Sequence, residues 1–202
     1  RLIKNGDADM EKLQFALENI SAQAERGGRI IKNIRGMAGK NPAYRELLDL
    51  NRLVRESTDM MKDRVLECGV QTEFDLQAGL RTVKADRCQL QQVILNLISN
   101  AVDAVSDDAC DRKMLIIKSR NLQDNSVEIR VMDTGRGIDC DRKRIFDSFY
   151  STKRDGLGIG LSLCRRIIDS HGGRIGFQDA PGGGTVFTVM LPAEPKSEDN
   201  YE

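Results

Sequence analysis

Two asparagines stand one helical turn apart in the segment around residues 86–105. Asn96, Asn100 and Asp103 fall at positions i, i+4 and i+7, so they share one polar stripe if the segment is helical. Asparagine is a mediocre helix former, and its repetition beside an apolar face suggests side-chain carbonyl oxygens directed at a ligand. Magnesium takes such oxygens together with water and phosphate. A solvated helix face is the other interpretation of the stripe taken alone.

The second candidate is the motif Asp133-Thr134-Gly135-Arg136-Gly137, which directly follows an apolar run. A carboxylate fixed at the end of a strand can accept a hydrogen bond from an amine, such as the exocyclic amine of adenine. The glycines let the backbone pass close to a flat ring. Because Asp, Thr and Gly are all turn formers, a plain turn after a strand explains the motif as well.

A third motif, Gly156-Leu157-Gly158-Ile159-Gly160-Leu161, opens a predicted helix. Glycines there expose backbone N–H groups, and a helix N-terminus favours anions such as phosphate. The spacing is not that of a dinucleotide fingerprint, and no Gly-Lys-Ser/Thr follows as in a P-loop. Lys153 stands just before the motif and could reach a terminal phosphate as a point charge.

These motifs and two others follow one another at compatible spacings: Asn96…Asn100, Asp133-x-Gly135-x-Gly137, Phe146-x-x-Phe149, Gly156-x-Gly158-x-Gly160 and Gly183-Gly184-Thr185. In this order they resemble the sequence boxes of the sensor histidine kinases. The ATP-binding (GHKL, Bergerat-type) fold of those kinases is shared with gyrase, the Hsp90 chaperones and the MutL proteins. The segment 151–162 most resembles the nitrogen- and oxygen-sensing kinases, which have a short ATP lid. The resemblance covers about residues 7–192.

The resemblance implies ATP and Mg²⁺ as cofactors and gives the matched residues roles. It implies that Asn100 ligates Mg²⁺, that Asn96 supports the metal and the phosphates, and that Asp133 reads adenine. Thr185 would help to hold the base, and Asn96 and Lys153 would act in catalysis. The other nucleotide-binding positions are Gly135, Gly137, Ile138, Gly156, Leu157, Gly158, Ile159, Gly160 and Leu161. The family often has Lys or Arg where Asp103 stands, which leaves a phosphate role for Asp103 in doubt.

The chain has a single histidine, His171, and it does not match the phosphoacceptor of the family. That acceptor lies on the first helix of a dimerisation hairpin, whereas His171 matches a structural turn after the glycine-rich helix. We therefore expect that the acceptor histidine lies in another part of a longer protein, or that the natural protein has no acceptor.

The elements that position these residues are read from periodicity and turn signals. Helices are predicted at 51–66, 86–105 and 158–170, the second with Asp86 as its N-cap. Strands are predicted at 70–76, 82–84, 114–120, 126–133, 174–178 and 185–191. This order favours an α+β fold, a two-layer α/β sandwich with a largely antiparallel sheet.

A heptad-like stripe precedes that domain, with alternating spacings of four and three at Leu13, Leu17, Ile20, Ala24, Gly27, Ile31, Ile34 and Ala38. It predicts a long helix over 7–40. A core-facing helix within one domain is one interpretation of the stripe, and we favour a helical hairpin through which two chains form a homodimer. We expect residues 1–42 to be part of the dimerisation hairpin, 43–192 the ATP-binding catalytic domain, and 193–202 a flexible acidic tail.

Composition excludes several classes of protein. The 202 residues include 31 Lys plus Arg and 31 Asp plus Glu, a balance that does not favour a nucleic-acid partner. No apolar run is long enough to span a bilayer, so a membrane would be reached only through parts outside this chain. Five scattered cysteines with no Cys-x-x-Cys pair argue against a zinc site or a disulfide framework. We expect a cytoplasmic location, which includes the cytoplasmic part of a membrane-bound sensor.

The expected reaction is transfer of the ATP γ-phosphoryl group to a histidine on a dimerisation helix, for relay to an aspartate of a response-regulator receiver domain. Asn96 cannot take a proton, and a neutral imidazole acceptor does not need a base. A gyrase- or chaperone-type ATPase is one alternative, but such relatives typically have Glu at this position, as a base for water, and Asn96 argues against it. A serine kinase of the anti-sigma type and an acceptor-less nucleotide-binding scaffold are the others.

Overall fold

The computed structural model describes residues 13–17, 20, 28, 45–106, 112–139, 141–151 and 157–194. The chain divides into two compact units, Arg1–Lys40 and Asn41–Glu202. In the first unit, the described residues are helical. Leu17 and Ile20, two members of the predicted stripe, are 59% and 65% exposed. The rest of the helix predicted over 7–40 lies outside the described residues.

The described part of the second unit contains seven strands and four helices. In chain order they are β1 (Arg45–Leu48), α1 (Leu50–Asp59), α2 (Lys62–Glu67), β2 (Gln71–Leu76), β3 (Val83–Asp86), α3 (Arg87–Val105), β4 (Met114–Asn121), β5 (Ser126–Asp133), α4 (Gly160–Ser170), β6 (Arg174–Asp179) and β7 (Thr185–Pro192). None of the helices in this described part is both long and apolar enough to cross a bilayer.

Five of the strands form one sheet in the order β2-β4-β5-β7-β6. Its pairs are antiparallel except for β2 with β4, which are parallel. Strands β1 and β3 form a separate antiparallel pair. The prediction of an α+β fold with a largely antiparallel sheet is therefore confirmed.

The core lies between this sheet and the helices, which pack on one of its faces. Alternation along β5 turns Val127, Ile129 and Val131 into the core, while Arg130 on the opposite face is exposed. From the helix layer, α3 contributes Leu90, Val93 and Leu97, and α4 contributes Leu163, Ile167 and Ile168. Each such side chain stabilises the fold by roughly 1.5–3 kcal/mol on burial, so the apolar rows of both helices fix them on the sheet.

The start of α3 follows from its sequence. Asp86 is the N-cap, and its Oδ1 accepts a hydrogen bond from the backbone N–H of Gln89 at 3.0 Å, as predicted. By contrast, Ile159 precedes α4 and supplies no side-chain cap. The first N–H groups of α4 are therefore not satisfied by a capping side chain.

Two predictions near the start of this unit need correction. The helix predicted over 51–66 is two helices, α1 and α2, with a break at Met60. Near the end of α1 the hydroxyls of Ser57 and Thr58 donate to the carbonyls of Leu53 and Val54, a competition that disfavours regular helix. Strand β1 was not predicted, and the strand predicted at 82–84 is Val83–Asp86.

Candidate functional site

Asp133 is the last residue of β5, and strand alternation turns its side chain to the helix face. It is 2% exposed, and its Oδ1 accepts two backbone hydrogen bonds, from Gly135 N at 2.9 Å and Thr185 N at 3.2 Å. Burial raises the pKa of this carboxyl, and the two N–H groups oppose the rise. Oδ2 accepts no hydrogen bond from the described residues, so it is available to a donor on a ligand.

A glycine brings the start of β7 against Asp133. Gly184 has φ +94°, and a Cβ at this position would collide with the carbonyl oxygen of Asp133. The next residue, Thr185, is 3% exposed and donates its N–H to the Asp133 carboxylate. The predicted Gly-Gly-Thr motif is thus placed beside the predicted adenine-reading residue.

The loop after β5 lies against α3. A Cβ at Gly135 would collide with the backbone of Ala104, so only glycine allows this approach. Gly137 has φ +75°, and a Cβ there would lie 3.5 Å from the carbonyl oxygen of Gly184. The loop therefore connects α3 with the turn before β7, and Ile138 follows it half-buried.

Asn96 faces the N-terminal end of α4. Its Nδ2 donates to the carbonyl of Gly160 at 3.5 Å and to Sγ of Cys164 at 3.7 Å, while its Oδ1 accepts from Gln92 Nε2 at 3.3 Å. Burial raises the pKa of the Cys164 thiol to about 12, so this thiol stays neutral and is no nucleophile. The uncapped end of α4 is thereby brought beside one member of the polar stripe.

Asn100 and Asp103 are half-buried farther along the same stripe. The carboxylate of Asp103 pairs with Nη2 of Arg64, which comes from α2. Nη1 of the same guanidinium donates to Ser99 Oγ at 2.9 Å. No local sequence pattern marks Arg64 as part of this cluster, because 39 residues separate it from Asp103.

The segment 141–151, which carries the Phe-x-x-Phe motif, is fixed to the sheet and to α4. The ring of Phe146 meets that of Phe177 edge-on at 6.1 Å, and the guanidinium of Arg165 lies 5.5 Å from its centroid. Phe149 is 80% exposed with φ +67°, and its N–H donates to Gly158 O at 2.9 Å. A Cβ at Gly158 would lie 2.5 Å from the backbone of Phe149.

Part of the predicted phosphate-binding segment lies outside the described residues. This holds for Lys153 and Gly156. Leu157, Gly158 and Ile159 are described and lead into α4, which begins with Gly160 and Leu161.

His171 caps the C-terminal end of α4 and is 8% exposed. Its Nε2 accepts from the backbone N–H of Asp86 at 3.1 Å, and its Nδ1 donates to the carbonyl of Ile167 at 2.8 Å. A donor at Nε2 and an acceptor at Nδ1 are the partners expected for the tautomer with its proton on Nδ1. The imidazole is therefore engaged at both nitrogens at the turn after α4.

The model of one protein family matches residues 85–195, and its description is "Histidine kinase-, DNA gyrase B-, and HSP90-like ATPase". This chain belongs to that family. The matched segment runs from the end of β3 to just beyond β7, and so contains Asn96, Asn100, Asp133 and Thr185.

Named relatives place the chain among the sensor histidine kinases within this family. It is 34% identical over 193 residues to the sensor protein FixL of Bradyrhizobium diazoefficiens. The aligned region covers 95% of this chain and 38% of FixL. The chain thus spans well under half of that relative. The resemblance seen in the sequence motifs is confirmed.

Solved structures of histidine kinases are also similar to this chain. The histidine kinase ThkA in complex with the response regulator TrrA matches 98% of this chain and 56% of that chain, with a TM-score of 0.75 and 28% identity. Full-length ShkA in complex with AMPPNP matches 96% of this chain and 41% of its own, with a TM-score of 0.75 and 27% identity.

Proposed function

We propose that this chain is the ATP-binding catalytic part of a sensor histidine kinase. It would transfer the γ-phosphoryl group of ATP to a histidine on a dimerisation helix outside this chain, in the cytoplasmic part of the sensor. The observation that carries the proposal is the Asp133 carboxylate, which joins two elements through Oδ1 and leaves Oδ2 without a hydrogen bond from the described residues.

At the base end of the pocket, Asp133 Oδ2 would accept from the exocyclic amine of adenine. Thr185 would hold the base. Gly135 keeps the surrounding backbone close by leaving no side chain in its way, and Gly137 permits the positive φ of the loop. The strand ends and α3 are tightly packed here, so Asp133 needs little reorganisation when the base binds. This preorganisation favours affinity.

At the phosphate end, Asn96 and Asn100 present amides one turn apart on α3, and we assign Asn100 as the protein ligand of Mg²⁺. Amide oxygens, water and phosphate are the donors that this ion prefers. When bound, Mg²⁺ would supply charge neutralisation at the phosphates. The segment Gly156–Leu161 would offer backbone N–H groups, and Lys153 a positive charge, to the same phosphates.

The amide of Asn96 separates a kinase from an ATPase of the same fold. An amide cannot take a proton from water, whereas a neutral imidazole already has a lone pair for attack. Phosphoryl transfer then needs mainly positioning and neutralisation of charge. An asparagine at this position therefore supports transfer to histidine better than hydrolysis.

The proposed partners follow from relatives. ThkA is named in complex with a response regulator, and we propose that a receiver domain of that kind takes the phosphoryl group from the acceptor histidine. We also propose that residues 1–42 belong to a dimerisation hairpin and that residues 43–192 form the catalytic domain. The flexible acidic tail expected over 193–202 is proposed only for the residues after Glu194, because Ala193 is buried and the N–H groups of Ala193 and Glu194 donate to the carbonyls of Asn125 and Thr82. Homodimerisation would run through residues 7–40.

One labelling experiment tests the function. The chain is incubated with Mg²⁺ and γ-labelled ATP, alone and with a separately prepared hairpin that carries an acceptor histidine. We expect label only on the added hairpin, stable in alkali and labile in acid, and none on His171. Acid-stable label would indicate a serine kinase, free labelled phosphate alone an ATPase, and nucleotide binding without transfer a scaffold.

The magnesium assignment is tested separately, by titration calorimetry with ATP. Asn100→Ala should lower ATP affinity in Mg²⁺ by about tenfold, which corresponds to roughly 1.4 kcal/mol. In EDTA, wild type and variant should bind equally. Equal affinities in Mg²⁺, measured by titration calorimetry, would show that another group ligates the metal.

A further inference from the structure

Arg64 lies against the polar stripe of α3 although it belongs to α2. Its Nη1 donates to Ser99 Oγ at 2.9 Å and its Nη2 pairs with the carboxylate of Asp103. Ser99 and Asp103 are i and i+4 on the helix, so the guanidinium covers one row of its surface.

That row is directly beside the row of Asn96 and Asn100. Ser99 is three residues after Asn96, and Asp103 is three residues after Asn100. On a helix such neighbours lie about 5–6 Å apart between Cβ atoms. The guanidinium therefore binds the row of α3 that lies next to the amides which we assign to the phosphates and the metal.

The charges of Asp103 and Arg64 affect how this part of α3 can bind phosphate. An uncompensated carboxylate at Asp103 would repel the phosphates of ATP, and its pairing with Arg64 removes that repulsion. The Arg64 side chain is 43% exposed and that of Asp103 29%, so the pair contributes little to folding stability. A guanidinium has five N–H donors, more than Ser99 and Asp103 use. The unused donors can bind an anion.

We infer that Arg64 is a phosphate-binding residue of this site, held in place by Asp103 and Ser99. The positive charge for the phosphates on this side thus comes from α2, and the function of Asp103 is to anchor it. The inference rests on the proposed nucleotide-binding function and adds a residue to it.

The test compares the affinities of four variants for Mg²⁺-ATP and for adenosine, measured by titration calorimetry on the whole chain. Arg64→Gln should weaken ATP binding by about tenfold and leave adenosine binding within about twofold, because adenosine has no phosphate. Arg64→Lys should bind ATP with an affinity between those of wild type and Arg64→Gln, because lysine keeps the positive charge but lacks the planar set of N–H donors of a guanidinium. Asp103→Asn combined with Arg64→Gln should recover part of the lost affinity, because the double variant also removes the negative charge of Asp103 beside the phosphates.

Arg52→Gln is the matched control. Arg52 pairs with Glu56 within α1, its side chain is 74% exposed, and its loss changes the net charge by the same amount. If Arg64→Gln binds ATP as well as Arg52→Gln does, the inference is wrong. It is also wrong if ATP and adenosine lose affinity by the same factor, because the effect is then on pocket shape. Failure of the wild-type chain to bind ATP would instead remove the proposed function itself.

Discussion

Asp133 uses one carboxylate oxygen to join the end of β5 to the start of β7 and has a second oxygen for a ligand. In Asp133→Asn, the amide oxygen can still accept from Gly135 N and Thr185 N, and an NH₂ group replaces Oδ2. That NH₂ would face the amine of adenine, donor against donor, but could donate to the carbonyl of guanine.

We therefore expect Asp133→Asn to shift nucleotide selectivity without unfolding the protein. ATP affinity should fall by about tenfold or more, since a hydrogen bond to a charged group contributes roughly 1.5–3 kcal/mol. The ratio of ATP to GTP affinity should fall further still. Asp133→Ala, which offers neither group, should lose ATP affinity without gaining GTP. An ATP-to-GTP ratio equal to that of wild type in Asp133→Asn would place adenine recognition elsewhere.

Burial of Asp133 also predicts how the stability of the fold and the affinity for ATP depend on pH. Its pKa in the folded chain is raised above the ordinary value of 3.8, mainly by burial. Between those two pKa values the folded state binds more protons at this group than the unfolded state does, so stability falls as the pH rises through that window. A protonated carboxyl also loses its acceptor role at Oδ2.

Two measurements follow from this shift. As the pH falls through the raised pKa, ATP affinity of the wild type should decrease, while the affinity of Asp133→Asn should change far less. The free energy of unfolding of Asp133→Asn relative to wild type should increase as the pH rises through the same window, and then level off. Parallel pH curves for both proteins, by calorimetry and thermal unfolding, would exclude Asp133 as the titrating group.

At the scale of elements, local sequence signals predicted most of the sheet and both helices of the site. The alternation in β5 and β7 and the Asp86 cap of α3 are local, and the structure contains them. Strand β1 was missed because its sequence, Arg-Glu-Leu-Leu, favours helix. It is a strand through pairing with β3, where Arg45 lies opposite Asp86. Long-range pairing of that kind overrides propensity and leaves no local mark.

The same limit applies to the site. The motif residues that the structure describes could be found from residue type and spacing, since each is marked by glycines or by helical periodicity. Arg64 could not, because its contact with Asp103 depends on how α2 packs against α3. Side chains that one element contributes to another are decided by packing, which a local pattern does not contain.

Helices α3 and α4 run past one another in opposite directions. Asn96 meets Gly160 at one end, and His171 reaches the N-cap residue Asp86 at the other. The imidazole thus ties the C-terminal end of α4 to the N-terminal end of α3. We regard it as a structural link between the two helices that meet at the phosphate end of the site.

Replacement of His171 should separate this link from any chemical role. His171→Gln can still offer an acceptor to the N–H of Asp86, so stability, ATP affinity and transfer to an added hairpin should stay close to wild type. His171→Leu leaves that N–H without a partner, which costs roughly 1–3 kcal/mol. Its melting temperature should fall by several degrees, about 2–4 °C per kcal/mol at this chain size. Loss of phosphotransfer in His171→Gln at unchanged stability would contradict this assignment.

At the scale of the whole molecule, the chain divides after residue 40 into two units that differ in how their apolar side chains are buried. The second unit has its own sheet, helices and apolar core, and it contains every motif assigned to the nucleotide. The first has apolar stripe residues, Leu17 and Ile20, with exposed side chains. A helix with an apolar stripe gains stability when another helix covers it, and a second copy of the chain offers the same stripe in return.

Self-association should therefore depend on the first unit and nucleotide binding on the second. Deletion of residues 1–40 should convert a dimer into a monomer with unchanged ATP affinity, measured by sedimentation and calorimetry. Leu17→Glu with Ile20→Glu should do the same in the full chain, because two charges on the stripe would be buried between helices without partners. The control is Gln14→Glu, which adds one negative charge at an exposed position in the same helix but off the stripe. If the deletion variant sediments in the same oligomeric state as the whole chain, residues 7–40 are not the dimer interface.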